Sequence, residues 1–195
     1  VPANTDETFF YQIPSKNQCA SCHTTNHSEG ALLPIGLKAR HLNHSNTDYG
    51  KNQLLYLQKN RRLAGLSNLE KVPKLADFSD QSESLEARAR AYLDINCAHC
   101  HNKQGPADTS ALLLEYTDLD PRSYGRCKPP IATGRGSGGL LYSIVPGQAH
   151  ESIMSFRLSS RDPAEMMPEI GRTLVHAEGV ALINRWINSM SGRCV

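Results

Sequence analysis

The sequence predicts a mainly α-helical fold: a helical domain over residues 85–195, a linker over 71–84, and a short, irregular module over 1–70. Three observations predict it. The stretch "SLEARARAYLDIN" sets Leu85, Ala89, Tyr92 and Leu93 on one helical face, with Ser84 placed to cap the helix and Glu86 near its positive end. The stretch "AEGVALINRWINSM" carries a second apolar stripe from Val180, Ile183, Trp186, Ile187 and Met190. Finally, "NCAHCH" follows directly on the first of these helices, and its spacing recurs as "NQCASCH" at residues 17–23.

Taken in chain order, the N-terminus "VPANTDETFF" lacks the basic and apolar regions of a signal peptide, and it begins with Val rather than Met. A leader removed on export is the expectation. Ser15 followed by Gln18 fits a capping box that starts a brief helix at the first cysteine pair, and "NQLLYLQKNRRLAGL" (52–66) reads as a second helix. The linker "KVPKLADFSDQSES" (71–84) is polar and contains proline. The loop "KPPIATGRGSGG" (128–139) is glycine-rich but lacks the Gly-Lys-Ser/Thr ending of a phosphate cradle, so an irregular loop is expected there.

Composition narrows the function classes. The 195 residues are 39% hydrophobic but only 6% aromatic, a thin supply for a core of this size, which leaves room for a cofactor in the interior. The formal charge of +2 is small and evenly mixed, arguing against nucleic acid as a partner. No segment approaches the roughly 20 apolar residues of a membrane span.

The six cysteines are Cys19, Cys22, Cys97, Cys100, Cys127 and Cys194. Cys-x-x-Cys-His is the attachment pattern of c-type haem: both thiols add to vinyl groups of one porphyrin, and the adjacent histidine reaches the iron. Two pairs of this kind also permit a four-thiolate zinc site or a redox dithiol. A histidine at the same offset in both copies favours haem, since four thiolates need no such residue. Two covalently bound haem c groups are therefore expected, on Cys19, Cys22 and His23 and on Cys97, Cys100 and His101. Cys127 and Cys194 then remain as a disulfide pair, worth roughly 4 kcal/mol by loop entropy.

The sixth ligand decides whether each iron only exchanges electrons or also binds substrate. Of the four methionines (154, 166, 167 and 190), Met167 precedes a proline in "RDPAEMMPEIG" and is the expected ligand of the second iron, with Met166 as alternative. Met190 belongs to the helix stripe. The first module has no methionine, so His41, in "LKARHLNH", is expected on the first iron, with His44 and His27 as alternatives. An open iron or a ligand from another chain is the remaining option. His150 and His176 lie in polar surroundings and read as surface or capping residues.

With these motifs placed, the second module resembles a class I cytochrome c: a haem motif at the end of the first helix, a methionine loop, and a C-terminal helix crossing the first. The resemblance implies Cys97 and Cys100 as thioether residues, His101 as proximal ligand and Met167 as distal ligand. The whole chain, through "IPSKNQCASCH", "PIGLKARHLN", "ARAYLDINCAHCHN" and "MMPEIGRTLVHAEG", looks like a family of exported bacterial dihaem cytochromes. It departs from cytochrome c4, whose two domains each supply a methionine, and from the longer dihaem peroxidases. The expected function is electron transfer, from a lower-potential bis-histidine haem 1 to a higher-potential His/Met haem 2, by a carrier rather than a catalyst. Its expected partners are redox proteins, in the periplasm or outside the cell. The alternatives are a peroxidase-like enzyme with an open haem 1, and a self-associating subunit of a multi-haem assembly or filament.

Overall fold

A computed structural model describes residues 8–24, 26, 30–46 and 50–195. Six α-helices lie among them, with one two-residue strand pair, so the protein is mainly helical as expected. The first region holds α1 (Lys16–His23), α2 (Ala39–Leu42), the antiparallel strands β1 (Ser45–Asn46) and β2 (Lys51–Asn52), and α3 (Gln53–Lys59). The second holds α4 (Leu85–Asn96), α5 (Ile153–Ser159) and α6 (Ala177–Ser189), joined by loops and short 3₁₀ turns.

Local chemistry sets the helix starts. The Ser15 capping box forms: Gln18 N–H donates to Ser15 Oγ at 3.4 Å, and Ser15 N–H donates to Gln18 Oε1 at 2.8 Å. Ser84 caps α4 by accepting from Ala87 N–H at 3.2 Å. α3 begins behind Asn52 and ends at Lys59, well short of the helix read over 52–66. The stop has a cause: Asn60 turns its side-chain amide back onto the Tyr56 carbonyl, and Arg61 takes a left-handed φ of 57°.

The core lies where α4 and α6 pack together, with α5 against α6. Ala89, Tyr92 and Leu93 of α4 meet Leu182, Ile183, Trp186 and Ile187 of α6. The close approach depends on Gly179, where a Cβ would overlap the Tyr92 hydroxyl. α4 is buried on more than its apolar stripe, because Arg88, Arg90 and Asp94 are buried too. Each has partners: Arg88 Nε donates to the Phe78 carbonyl at 2.9 Å, and Arg90 donates to the Glu115 carbonyl at 2.9 Å while lying over the Tyr124 ring.

Asp94 fastens the first region to this helix. Its carboxylate accepts from Arg40 through two nitrogens, at 3.1 and 2.8 Å, from the Tyr116 N–H at 2.7 Å, and lies 2.5 Å from His41 Nε2. Residues 71–84 are also tied down, since Leu75 is buried and donates its N–H to the Arg40 carbonyl, and the Val72 carbonyl accepts from Asn43. Cys127 and Cys194 are joined by a disulfide closing the second region from its middle to its C-terminus.

Candidate cofactor site

The two Cys-x-x-Cys-His stretches are built alike. In the first, α1 carries Cys19 and Cys22 one turn apart and ends at His23. In the second, α4 ends at Asn96 and the chain continues in helical turns, with Cys97 N–H donating to the Leu93 carbonyl and His101 N–H to the Cys97 carbonyl, both at 2.9 Å. Each histidine then meets a leucine carbonyl downstream. His23 Nδ1 lies 2.8 Å from the Leu33 oxygen, and His101 Nδ1 lies 3.2 Å from the Leu112 oxygen. A carbonyl only accepts, so Nδ1 carries the proton in both rings and Nε2 presents its lone pair. This is the tautomer a metal-binding histidine needs, held by a second group.

The returning backbone repeats as well. Leu33 N–H donates to the His23 carbonyl at 3.0 Å, and Leu114 N–H donates to the His101 carbonyl at 2.8 Å. Sequence reading found no repeat beyond the cysteine motif. The returning leucines lie in "ALL" at 31–33 and "ALLL" at 111–114, one residue out of register, since the carbonyls that meet the histidines stand 10 and 11 residues after them.

The stretches abut. Cys22 and Cys100 line one cavity, and the interaction between their thiols pulls Cys22 down to about 6 and pushes Cys100 up. Burial pushes Cys97 up to about 12 and His101 down to about 4, so His101 is neutral in the fold. Burial also lowers His99, one of the two residues between Cys97 and Cys100, assisted by the Lys38 ammonium. The Nδ1 of His99 is buried with no hydrogen-bond partner.

A cavity of about 560 Å³ opens beside this contact, lined by Cys22, Cys100, His101 and Met167 among others. It falls within the roughly 300–1,000 Å³ usual for cofactor sites. A smaller apolar recess continues it, reaching Cys97, Leu93 and Leu114, and sharing His101 and Met167. Pro130, Ile131 and Thr133 of the glycine-rich loop form part of its wall, a role that the loop's composition did not reveal. Lys128, also on this wall, is buried, and burial lowers its affinity for a proton.

The loop that carries Met167 is held by two arginines. Met167 N–H donates to the Arg157 carbonyl at 3.1 Å, while the Arg157 guanidinium donates to the Glu165 carbonyl at 2.9 Å and pairs with Glu169 at 3.1 Å. Arg172 closes the other side of the loop by donating to the Leu158 carbonyl at 2.8 Å. Met166 is buried and lines a different cavity, and Met154 reaches the apolar recess from α5. Neither Met154 nor the arginine clamp was singled out from the sequence, although "FRLSSRDPAEMMPEIGR" places an arginine on each side of the methionine pair.

The remaining histidines are dispersed. His41 and His44 line a separate cavity of about 230 Å³ with Phe78 and Tyr92, and His41 Nε2 is engaged by Asp94. His27 lies outside the described residues. His176 stacks on Tyr92, with Nδ1 3.0 Å from its hydroxyl, and His150 is exposed beside Glu151. Among the described residues, no three His, Cys, Asp or Glu side chains converge as ligands of a bare metal ion. No helix among them is long and apolar enough to cross a membrane. Compared with known proteins, the chain matches no family model, no curated protein and no solved structure.

Proposed function

We propose that the chain is a dihaem c-type cytochrome that transfers electrons, its second region built like a class I cytochrome c. The observation that carries this reading is that Cys22 and Cys100, one cysteine of each Cys-x-x-Cys-His motif, line the same cavity. Groups attached there would have neighbouring edges. Each haem, when bound, supplies an iron that exchanges one electron between its ferric and ferrous states.

The protein's own part is to hold and enclose. Cys19 and Cys22 would anchor one haem and Cys97 and Cys100 the other, with His23 and His101 presenting Nε2 because Leu33 and Leu112 hold Nδ1. Met167, whose N–H donates to the Arg157 carbonyl, shares the cavity with His101 and would help to hold the same iron. Leu93, Leu114 and Ile131 keep that side dry, which with a thioether ligand favours the reduced iron and a higher potential. A thioether partner at one centre and none at the other would make the first haem the lower-potential site. The Cys127–Cys194 disulfide supports an oxidising compartment, the periplasm or cell exterior, with redox proteins as partners.

The deciding experiment is the visible spectrum of the fully reduced protein before and after carbon monoxide. An unchanged spectrum is expected, since a second histidine on the first iron and Met167 on the other would leave no open position. A shift in half of the haem would replace this reading with ligand or peroxide chemistry at one open iron.

A further inference from the structure

We infer that Lys128 is the counter-charge for a carboxylate of the haem held at the second motif. The inference rests on the dihaem reading and adds a binding residue outside its set of thioether and iron ligands. Three observations carry it. Lys128 lies on the wall of the apolar recess with Cys97, His101 and Met167, and it is only 7% exposed. Its Nζ donates one long hydrogen bond, at 3.4 Å, to the Pro129 carbonyl, and among the described residues no carboxylate pairs with it. No described aspartate or glutamate lines the recess either. A lysine buried to this degree is ordinarily paired, because an ammonium taken out of water with no anion beside it loses its hydration uncompensated.

The backbone fixes that placement. Lys128 follows the disulfide-bonded Cys127 and precedes two prolines. Its N–H donates to the Gly125 carbonyl at 3.2 Å, and its carbonyl accepts from Ser143 N–H at 2.8 Å, so the side chain issues from a pinned point on the wall. Arg157, the other lysine or arginine of the recess, is already engaged by the Glu165 carbonyl and the Glu169 carboxylate. Lys128 is therefore the cation left for an incoming anion. A haem brings that anion itself: besides the two vinyl groups that the cysteines use, the macrocycle carries two propionate carboxylates into an interior that supplies no acid of its own. Burial and the Arg122 guanidinium lower the proton affinity of Lys128 in the protein alone, and a carboxylate at Nζ acts in the opposite sense. The paired ammonium would also favour the ferrous iron electrostatically, which suits the higher potential proposed for that site.

The test compares Lys128→Met and Lys128→Arg with the wild-type full-length chain, each matured with haem that carries carbon-13 in its propionate carboxyls. Peptide mass spectrometry first locates the haems; a wild type with none on Cys97 and Cys100 overturns this inference together with the dihaem reading. With that haem in place, redox titration is expected to show the second haem's ferrous-to-ferric ratio, read at the wild-type midpoint, falling about three- to tenfold in Lys128→Met and staying within about twofold in Lys128→Arg. Isotope-edited infrared difference spectra between the reduced and oxidised protein report the carboxylates themselves. One labelled band is expected to move in Lys128→Met and to stay near its wild-type position in Lys128→Arg. Labelled bands that all stay in place in Lys128→Met overturn the pairing whether or not the potential falls, since a fall alone would mean a charge acting at a distance. If the methionine variant fails to take up haem, Lys128→Gln removes the same charge with a polar side chain, and the same two measurements decide with the same outcomes.

Discussion

The same motif is built twice in opposite surroundings. Residues 8–37 and 85–114 each contain a serine-capped helix, a Cys-x-x-Cys-His stretch and a leucine carbonyl that orients the histidine. Yet α1 buries no residue and α4 buries seven. Around the first motif Phe10, Ile13 and Leu37 are 98%, 83% and 80% exposed, whereas His101 of the second is 7% exposed amid packed leucines. The geometry of the Cys-x-x-Cys-His stretch is thus local, set by a cap, a turn and one carbonyl, while its burial is set by what the rest of the chain brings. The apolar side chains left bare around the first motif are surface that a porphyrin would cover, so the haem itself would supply the core there.

That difference predicts unequal dependence on the cofactor. In Cys19→Ala/Cys22→Ala, amide exchange in residues 16–23 and 30–37 is expected to rise to the level of an unstructured chain, with opening free energies near zero, while α4 and α6 stay protected. In Cys97→Ala/Cys100→Ala, α4 and α6 keep much of their protection because Leu93, Ile183 and Trp186 still pack. Equal loss in both regions from either variant would show that the two sites share one core and would end the comparison.

Next in size is the clasp between the regions. Asp94→Ala leaves Arg40 and His41 without their buried acceptor, and about 3–5 kcal/mol of stability is expected to go in denaturant titration. The pH dependence follows from the sign of its shift. Burial alone would raise the Asp94 carboxyl, but Arg40, the Tyr116 N–H and His41 together hold it below the usual range. A depressed folded value means that the contribution is complete above the unfolded value of about 4 and is lost as pH falls through the folded one. Asp94→Asn should therefore flatten the acid limb of the stability curve, and an acid limb unchanged from wild type would remove Asp94 as its cause.

What was legible in the sequence tracks this division between local and distant causes. The caps at Ser15 and Ser84, the apolar stripe of α6 and the Cys127–Cys194 pair follow from neighbours in the chain or from arithmetic, and the structure has them. The burial of Arg88, Arg90 and Asp94 was hidden because a helical wheel marks them as the wet face; only the docking of residues 38–43, 72–78 and 115–118 dries them. His41 illustrates the same limit. Spacing alone does not show that a carboxylate from 53 residues away, that of Asp94, lies 2.5 Å from its Nε2.

The disulfide gives the second region a constraint that the first lacks. Cys127→Ser/Cys194→Ser is expected to cost about 2–4 kcal/mol in global unfolding, with exchange in residues 16–23 unchanged. Faster exchange at α1 in that variant would mean that the two regions open together.

The smallest effect makes the sharpest comparison, because Ser15 and Ser84 do the same chemistry at the starts of the two motif helices. Replacing either with alanine removes one acceptor for an unpaired helix N–H, a loss of about 1 kcal/mol. In α4, that helix is part of the cooperative core, so Ser84→Ala should lower global stability by the full amount. In α1, nothing is buried that would couple the helix to the core, so Ser15→Ala should leave the global transition in place and appear only as faster exchange at Gln18 and Cys19. Global loss from Ser15→Ala equal to that from Ser84→Ala would place α1 inside the cooperative unit, and the approach of Cys22 to Cys100 would then be a structural joint between the two regions.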